Sequence, residues 1–133
     1  MDDNPFQSLD FIYIPTTDVA RDAADLTGVL GGRVAFAVEE GKTRVAMIAL
    51  TADPPHLLLT DHLEGERPIL IYRVDNLDAA VARLKDAGWD AGAVFEIPHG
   101  PCCSFQTPGG HRIAAYQATR PEASSFFAGR HDF

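Results

Sequence analysis

Residues 9–15 read Leu-Asp-Phe-Ile-Tyr-Ile-Pro, and residues 68–74 read Pro-Ile-Leu-Ile-Tyr-Arg-Val. Both are short runs rich in aromatic and β-branched side chains, the composition of a buried strand. Each is followed by the same kind of signal. Thr17 or Asp18 after the first run, and Asp75-Asn76 after the second, can accept from the free N–H groups of a helix's first turn. Behind the first cap, Val19, Ala23, Leu26 and Leu30 recur at helical spacing until Gly31-Gly32. Behind the second, Leu77, Ala80, Val81, Leu84 and Ala87 do so until Gly88. An offset of 58 residues lays Phe11 on Ile69, Ile14 on Tyr72, Val19 on Leu77, Ala23 on Val81 and Leu26 on Leu84.

The repeat continues outward. After the first helix come strand runs Arg33–Glu39 and Thr43–Leu50, joined by Glu40-Gly41-Lys42, and then His56–Thr60 behind Asp53-Pro54-Pro55. After the second come Ala91–Ile97, a break at Pro98-His99-Gly100-Pro101, Cys102–Gln106, and His111–Gln117 behind Pro108-Gly109-Gly110. Near the ends of the copies, Pro55-His56 lies over Gly110-His111 at an offset of 55. A βαβββ order that occurs twice predicts one α+β domain over residues 1–133. Module one covers about 8–62, the polar stretch 63–67 is the hinge, module two covers about 68–118, and 119–133 is a tail with room for a short helix.

Composition bounds the function. Apolar residues at 46% and charged residues at 23% of 133 positions are the balance of a folded domain. Eleven basic against nineteen acidic residues give a net charge of −8, which argues against a nucleic-acid backbone as partner. The start, Met1-Asp2-Asp3-Asn4-Pro5, has neither the basic nor the apolar part of a secretory signal, and the longest apolar run, Val45–Leu50, is too short for a bilayer. Cys102 and Cys103 are neighbours whose mutual bond would close a strained ring, so free thiols and a cytoplasmic setting are expected. His99 beside the two cysteines could form a nucleophile and base, but no hydrolase signature surrounds them, and small buried thiols explain them better. Gly28, Gly31 and Gly32 do not form a phosphate loop, and no nucleophile-elbow serine is present.

Three phrases resemble the vicinal oxygen chelate superfamily, which holds the glyoxalases, bleomycin-resistance proteins and extradiol dioxygenases. They are residues 9–15 with Asp18; Val74-Asp75-Asn76-Leu77-Asp78-Ala79-Ala80 with Leu84 and Ala87-Gly88; and Pro108-Gly109-Gly110-His111-Arg112-Ile113. The resemblance spans about residues 8–118 and implies a half-open barrel curled around a central cavity. In the superfamily's enzymes a divalent metal is held by His, Gln and Glu on the first and last strands of each module. Carried over, those positions fall on Phe11, Ile69, Leu59 (or its neighbour Leu58) and Ala114, none of which can donate to a metal. A shift of one residue brings in only Asp10 and Thr60 as oxygen donors, and strict alternation turns both to the opposite face. His56 and His111 read as solvated strand starts.

The expected reading is therefore metal-independent binding of a small hydrophobic or aromatic molecule, with no cofactor and no membrane association. The expected lining is Phe11, Tyr13, Leu59, Ile69, Ile71, Arg73, Ala114 and Tyr116, with Leu57 and Arg112 carried along by strand alternation. Two alternatives stand beside it. One is an enzyme of the superfamily, of lyase, isomerase or dioxygenase type, with a displaced metal or metal-free acid–base chemistry from Glu96, His99 and Tyr116. The other is an interaction module with a filled barrel. The resemblance and an open sheet edge imply a homodimer.

Overall fold

The computed structural model describes residues 4–62 and 67–133. The hinge assigned to 63–67 falls almost wholly outside the described residues. The order is β1 (Phe6–Pro15), α1 (Val19–Gly28), β2 (Arg33–Glu40), β3 (Thr43–Ala49), β4 (His56–Thr60), then β5 (Ile69–Val74), α2 (Leu77–Asp86), β6 (Ala91–Ile97), β7 (Gly100–Gln106), β8 (Arg112–Gln117) and α3 (Ala123–Phe127). The βαβββ order occurs twice, as the repeat requires.

Both helices are capped by the residues the sequence singles out. The Asp18 side chain accepts from the Arg21 N–H at 3.1 Å, and that of Asn76 from the Ala79 N–H at 2.9 Å. Gly88, at φ +98°, ends α2, with the Trp89 N–H reaching the Leu84 carbonyl at 3.0 Å. Gly31, at φ +74°, ends α1 one residue after Leu30. Leu30 therefore sits in the terminating turn rather than on the buried stripe, and it is 62% exposed.

The eight strands form one mixed sheet in the order β2-β3-β4-β1-β5-β8-β7-β6, curled into a half-barrel. Its centre is the antiparallel pair β1/β5, with Phe11 opposite Ile71 and Tyr13 opposite Ile69. On either side each central strand runs parallel to the last strand of its own copy, β1 to β4 and β5 to β8. Strand alternation then divides the apolar residues between two faces. The convex face packs on α1 through Ile48, Leu59, Val19 and Ala23, and on α2 through Val74, Ala80, Phe105 and Ala115. The concave face carries the largest cluster, which includes Phe11, Tyr13, Phe36, Leu58, Ile71 and Tyr116.

The tail folds over that concave face. Arg120 fastens its start, donating to the carbonyls of Pro98 and Ile97 at 3.1 and 2.9 Å and pairing with Glu96 at 2.6 Å. Phe127 of α3 lies 5.5 Å from Phe36. Beyond α3 the chain joins the outer edge of β2. The Ala37 N–H donates to the Arg130 carbonyl at 2.8 Å, and the Asp132 N–H to the Ala37 carbonyl at 2.7 Å. Pairing with the chain's own terminus removes β2 from the open edges on which the dimer argument relied. Among the described residues, no helix is long and apolar enough to cross a membrane.

Candidate functional site

The middle of the concave face is solid. Leu58, Ile69, Ile71 and Ala114 stand side by side on β4, β5 and β8, and none is more than 1% exposed. Seven of the eight residues expected to line a site do share this face: Phe11, Tyr13, Ile69, Ile71, Ala114 and Tyr116 in its packed cluster, and Arg73 at its exposed rim. Leu59 does not. It pairs with Ile14 and packs beneath α1, with Leu57 beside it, so the inward residue of β4 is Leu58. The cause is register: Phe11 pairs with His56 and Ile69 with Arg112, which makes the offset between the last strands 56 and not 55. That single residue inverts the strand's faces. Arg112 is drawn away from the interior, donating to the Arg67 carbonyl at 2.8 Å.

Two polar side chains expected to point outward also turn in. Thr60 follows Leu58 onto the concave side and is fully buried, its hydroxyl bonded to His62 Nδ1. Asp10 sits at a bulge, because Leu9 pairs with Tyr72 while Phe11 pairs with the very next residue, Ile71. The bulge breaks alternation and brings an Asp10 oxygen to the Tyr116 hydroxyl, which donates to it. The other oxygen accepts from the Ser8 hydroxyl at 2.6 Å. His56, expected at a solvated strand start, faces inward opposite Phe11, and its Nδ1 is buried with no hydrogen-bond partner among the described residues.

Among the described residues, two cavities flank the solid centre. The larger, about 640 Å³, lies between the β2–β3 hairpin, the end of β6 and α3. Its walls are Tyr13, Val38, Val45, Ile97, Phe126 and Phe127, with Glu40, His62, Glu96, Arg120 and Glu122 among its polar groups. The smaller, about 360 Å³, opens beside β1, β4 and β8 and brings together Asp10, Phe11, His56, Arg73, His99 and Tyr116. Residues 118–123 serve both, with Ala118 and Pro121 on the smaller cavity and Arg120, Glu122 and Ala123 on the larger. Of the expected lining, Tyr13 borders the larger cavity, while Phe11, Arg73 and Tyr116 border the smaller. Ile69, Ile71 and Ala114 border neither, being wholly absorbed in the packed centre between them.

Burial sets the protonation of the groups here. The Tyr13 phenol is pushed well above its usual range by burial, against which the neighbouring Thr60 hydroxyl works. Tyr116 is raised by burial and by the carboxylate of Asp10, with Arg73 opposing. His99, 6% exposed and stacked 4.7 Å from Phe11, is lowered to about 4 by burial; Asp10 pulls it up and Arg120 pushes it further down. It is a neutral imidazole near neutral pH. The three acid–base candidates are split: His99 and Tyr116 both touch the Phe11 ring, whereas Glu96 is tied to Arg120 at the other cavity. Cys102 faces the concave core and Cys103 faces α2, both as free thiols, and burial raises both above the ordinary thiol value. Neither is a poised nucleophile.

Among solved structures, methylmalonyl-CoA epimerase from Mycobacterium tuberculosis superposes at a TM-score of 0.72, with 18% identity over 91% of this chain and 94% of that one. A hypothetical protein from Bacillus halodurans C-125 gives 0.70, with 12% identity over 83% and 93%. A variant of Streptomyces coelicolor methylmalonyl-CoA epimerase in complex with 2-nitronate-propionyl-CoA gives 0.67, with 15% identity over 86% and 96%. The chain shares the fold of these structures, a curled half-barrel of the kind that the resemblance to the vicinal oxygen chelate superfamily implies. No family model matches the sequence, and no curated protein matches it.

The resemblance to the vicinal oxygen chelate superfamily implies a metal at the centre of the concave face, and the residues there do not suit one. Phe11, Leu58, Ile69 and Ala114 offer no donor atom, and their packing leaves the position filled with hydrocarbon. Among the described residues, no group of three or more His, Cys, Asp or Glu side chains is placed to hold an ion. Sequence reasoning missed Asp10, Thr60 and His56 as inward-facing groups. For Asp10 the only signal was tertiary, since a bulge has no signature in Leu-Asp-Phe. For Thr60 and His56, an offset of 56 between the last strands would have sufficed.

Proposed function

We propose that the protein binds a small apolar or aromatic molecule in the larger cavity and does so without a metal. The observation that carries this reading is the cavity itself. At about 640 Å³ it is the size of a small-molecule site, and its walls are aromatic and aliphatic with a few polar groups among them. Tyr13, Phe126 and Phe127 offer ring faces and edges for stacking, and Val38, Val45 and Ile97 offer flat aliphatic surface. Removal of apolar ligand surface from water at roughly 25 cal/mol per Å² supplies the driving force. The same cavity speaks against a barrel filled throughout. Two free buried thiols fit a reducing, cytoplasmic setting. A homodimer would use the edge of β6, since the tail occupies that of β2.

The test is a fluorescence titration with N-phenyl-1-naphthylamine, a neutral aromatic probe, on the wild type and on Val45→Trp. Val45 is a buried wall residue, and an indole in its place fills the space the probe needs. Saturable binding by the wild type and its loss in a variant that still folds, judged by circular dichroism, is the expected result. Equal binding by both proteins refutes the assignment of the site. Stoichiometric divalent metal retained through dialysis refutes metal independence.

A further inference from the structure

The smaller cavity has a different chemistry, and its reading is independent of the one above. We propose that it is a second binding site, for a small organic monocarboxylate. Three observations point the same way.

The first is an unused cation. Arg73 stands on β5 between Ser8 of β1 and Tyr116 of β8, is exposed at the cavity mouth, and makes no hydrogen bond or ion pair among the described residues. The adjacent carboxylate, Asp10, is not its partner, because one oxygen takes the Ser8 hydroxyl and the other the Tyr116 hydroxyl. A guanidinium is a planar fork of donors that matches a carboxylate edge to edge. In a chain of net charge −8, a cation between two strands with no partner among the described residues is available to a ligand.

The second is an unmet polar atom. His56 Nδ1 is buried in the wall of this cavity and has no hydrogen-bond partner among the described residues. A buried nitrogen left so costs free energy that a ligand atom recovers on binding. The third is size and floor. About 360 Å³ suits a molecule of a few carbon atoms, and the Phe11 ring and Met47 give its chain an apolar surface to cover.

The charge count selects one carboxylate. The titratable groups that face the space from all sides are Asp10, His56, Arg73, His99 and Tyr116. Arg73 is the one guanidinium among them, and burial keeps His99 neutral. A phosphate or a diacid would bring a second negative charge towards Asp10 with no second cation to meet it.

Butyrate, n-butanol and n-butylammonium, titrated by calorimetry into the full chain at constant ionic strength, test the proposal. Butyrate should bind saturably with a dissociation constant on the order of a millimolar, and the alcohol and the amine should bind more weakly. Arg73→Gln, a change at an exposed position, should weaken butyrate at least about tenfold, the effect of losing a hydrogen-bonded charge. His56→Phe should weaken it less and leave the preference for the anion intact. Val45→Trp, which blocks the larger cavity, should leave butyrate affinity unchanged, so failure of one site is distinguishable from failure of the other. The proposal is overturned if butyrate does not bind, if butanol equals it, if Arg73→Gln binds as the wild type does, or if Val45→Trp abolishes both ligands together.

Discussion

Lowering the pH from 7 to 4.5 should destabilise the fold by about 2 kcal/mol through His99 alone. The imidazole is held near pKa 4 in the folded chain, first by burial and then by Arg120, with Asp10 opposing, whereas an unfolded histidine titrates at about 6.5. Between those two values the unfolded state binds the proton and the folded state does not. Stability from this group is therefore fully present above about pH 6.5 and is lost progressively as the pH falls to about 4, where the loss levels off. A gap of about two and a half units corresponds to about 3 kcal/mol at full extent, of which the chosen interval captures most. The assay is urea unfolding of the wild type and of His99→Phe at a series of pH values. Phenylalanine keeps an aromatic ring against Phe11, 4.7 Å away in the native pair, and removes the titration. Acid-sensitive carboxylates, and His62, whose own value burial lowers, are common to both proteins and cancel in the difference. The wild type should lose about 2 kcal/mol more than the variant over the interval. Parallel pH profiles would refute the claim that His99 is held neutral by its surroundings.

Two further perturbations test the packing that shapes the cavities. Gly100 opens β7 where the chain passes against β8, and a Cβ there would lie 1.9 Å from the Gln117 carbonyl oxygen. Gly100→Ala should cost roughly 2–3 kcal/mol by overpacking, read as a lowered urea midpoint, and an unchanged midpoint would refute so close an approach. The thiols of Cys102 and Cys103 are 0% and 1% exposed, and burial raises both above the ordinary thiol value. Iodoacetamide at pH 8 should label neither in the native protein and both in urea, as read by intact mass, and rapid native labelling would contradict their placement.

The duplicated scaffold was legible because its signals are local. Capping at Asp18 and Asn76, glycines at Gly31 and Gly88, and apolar periods between them are fixed by a few neighbouring residues. The absence of donors at Phe11, Ile69 and Ala114 was legible for the same reason: side-chain type is in the sequence, and the first strands of the two copies align without gaps. Leu59 was misread because loops of different length separate the copies. A strand's facing depends on register with its partner, and register is a property of two distant segments.

What the chain could not declare by itself is where the empty space lies. The resemblance placed one cavity at the centre of the half-barrel, lined by Ile69, Ile71 and Ala114. Tertiary packing instead closes that centre with hydrocarbon and, among the described residues, leaves separate spaces on either side of it. The tail, weakly patterned in sequence, decides this. Arg120 pins it, residues 118–123 form walls of both cavities, and Phe127 packs on Phe36. The bulge that delivers Asp10 to Tyr116 is equally a product of strands meeting. That the positions the resemblance assigns to a metal carry no donor atom is legible in the sequence alone. Which side chains border the cavities depends on contacts across residue separations as long as that from Asp10 to Tyr116, which local pattern does not encode.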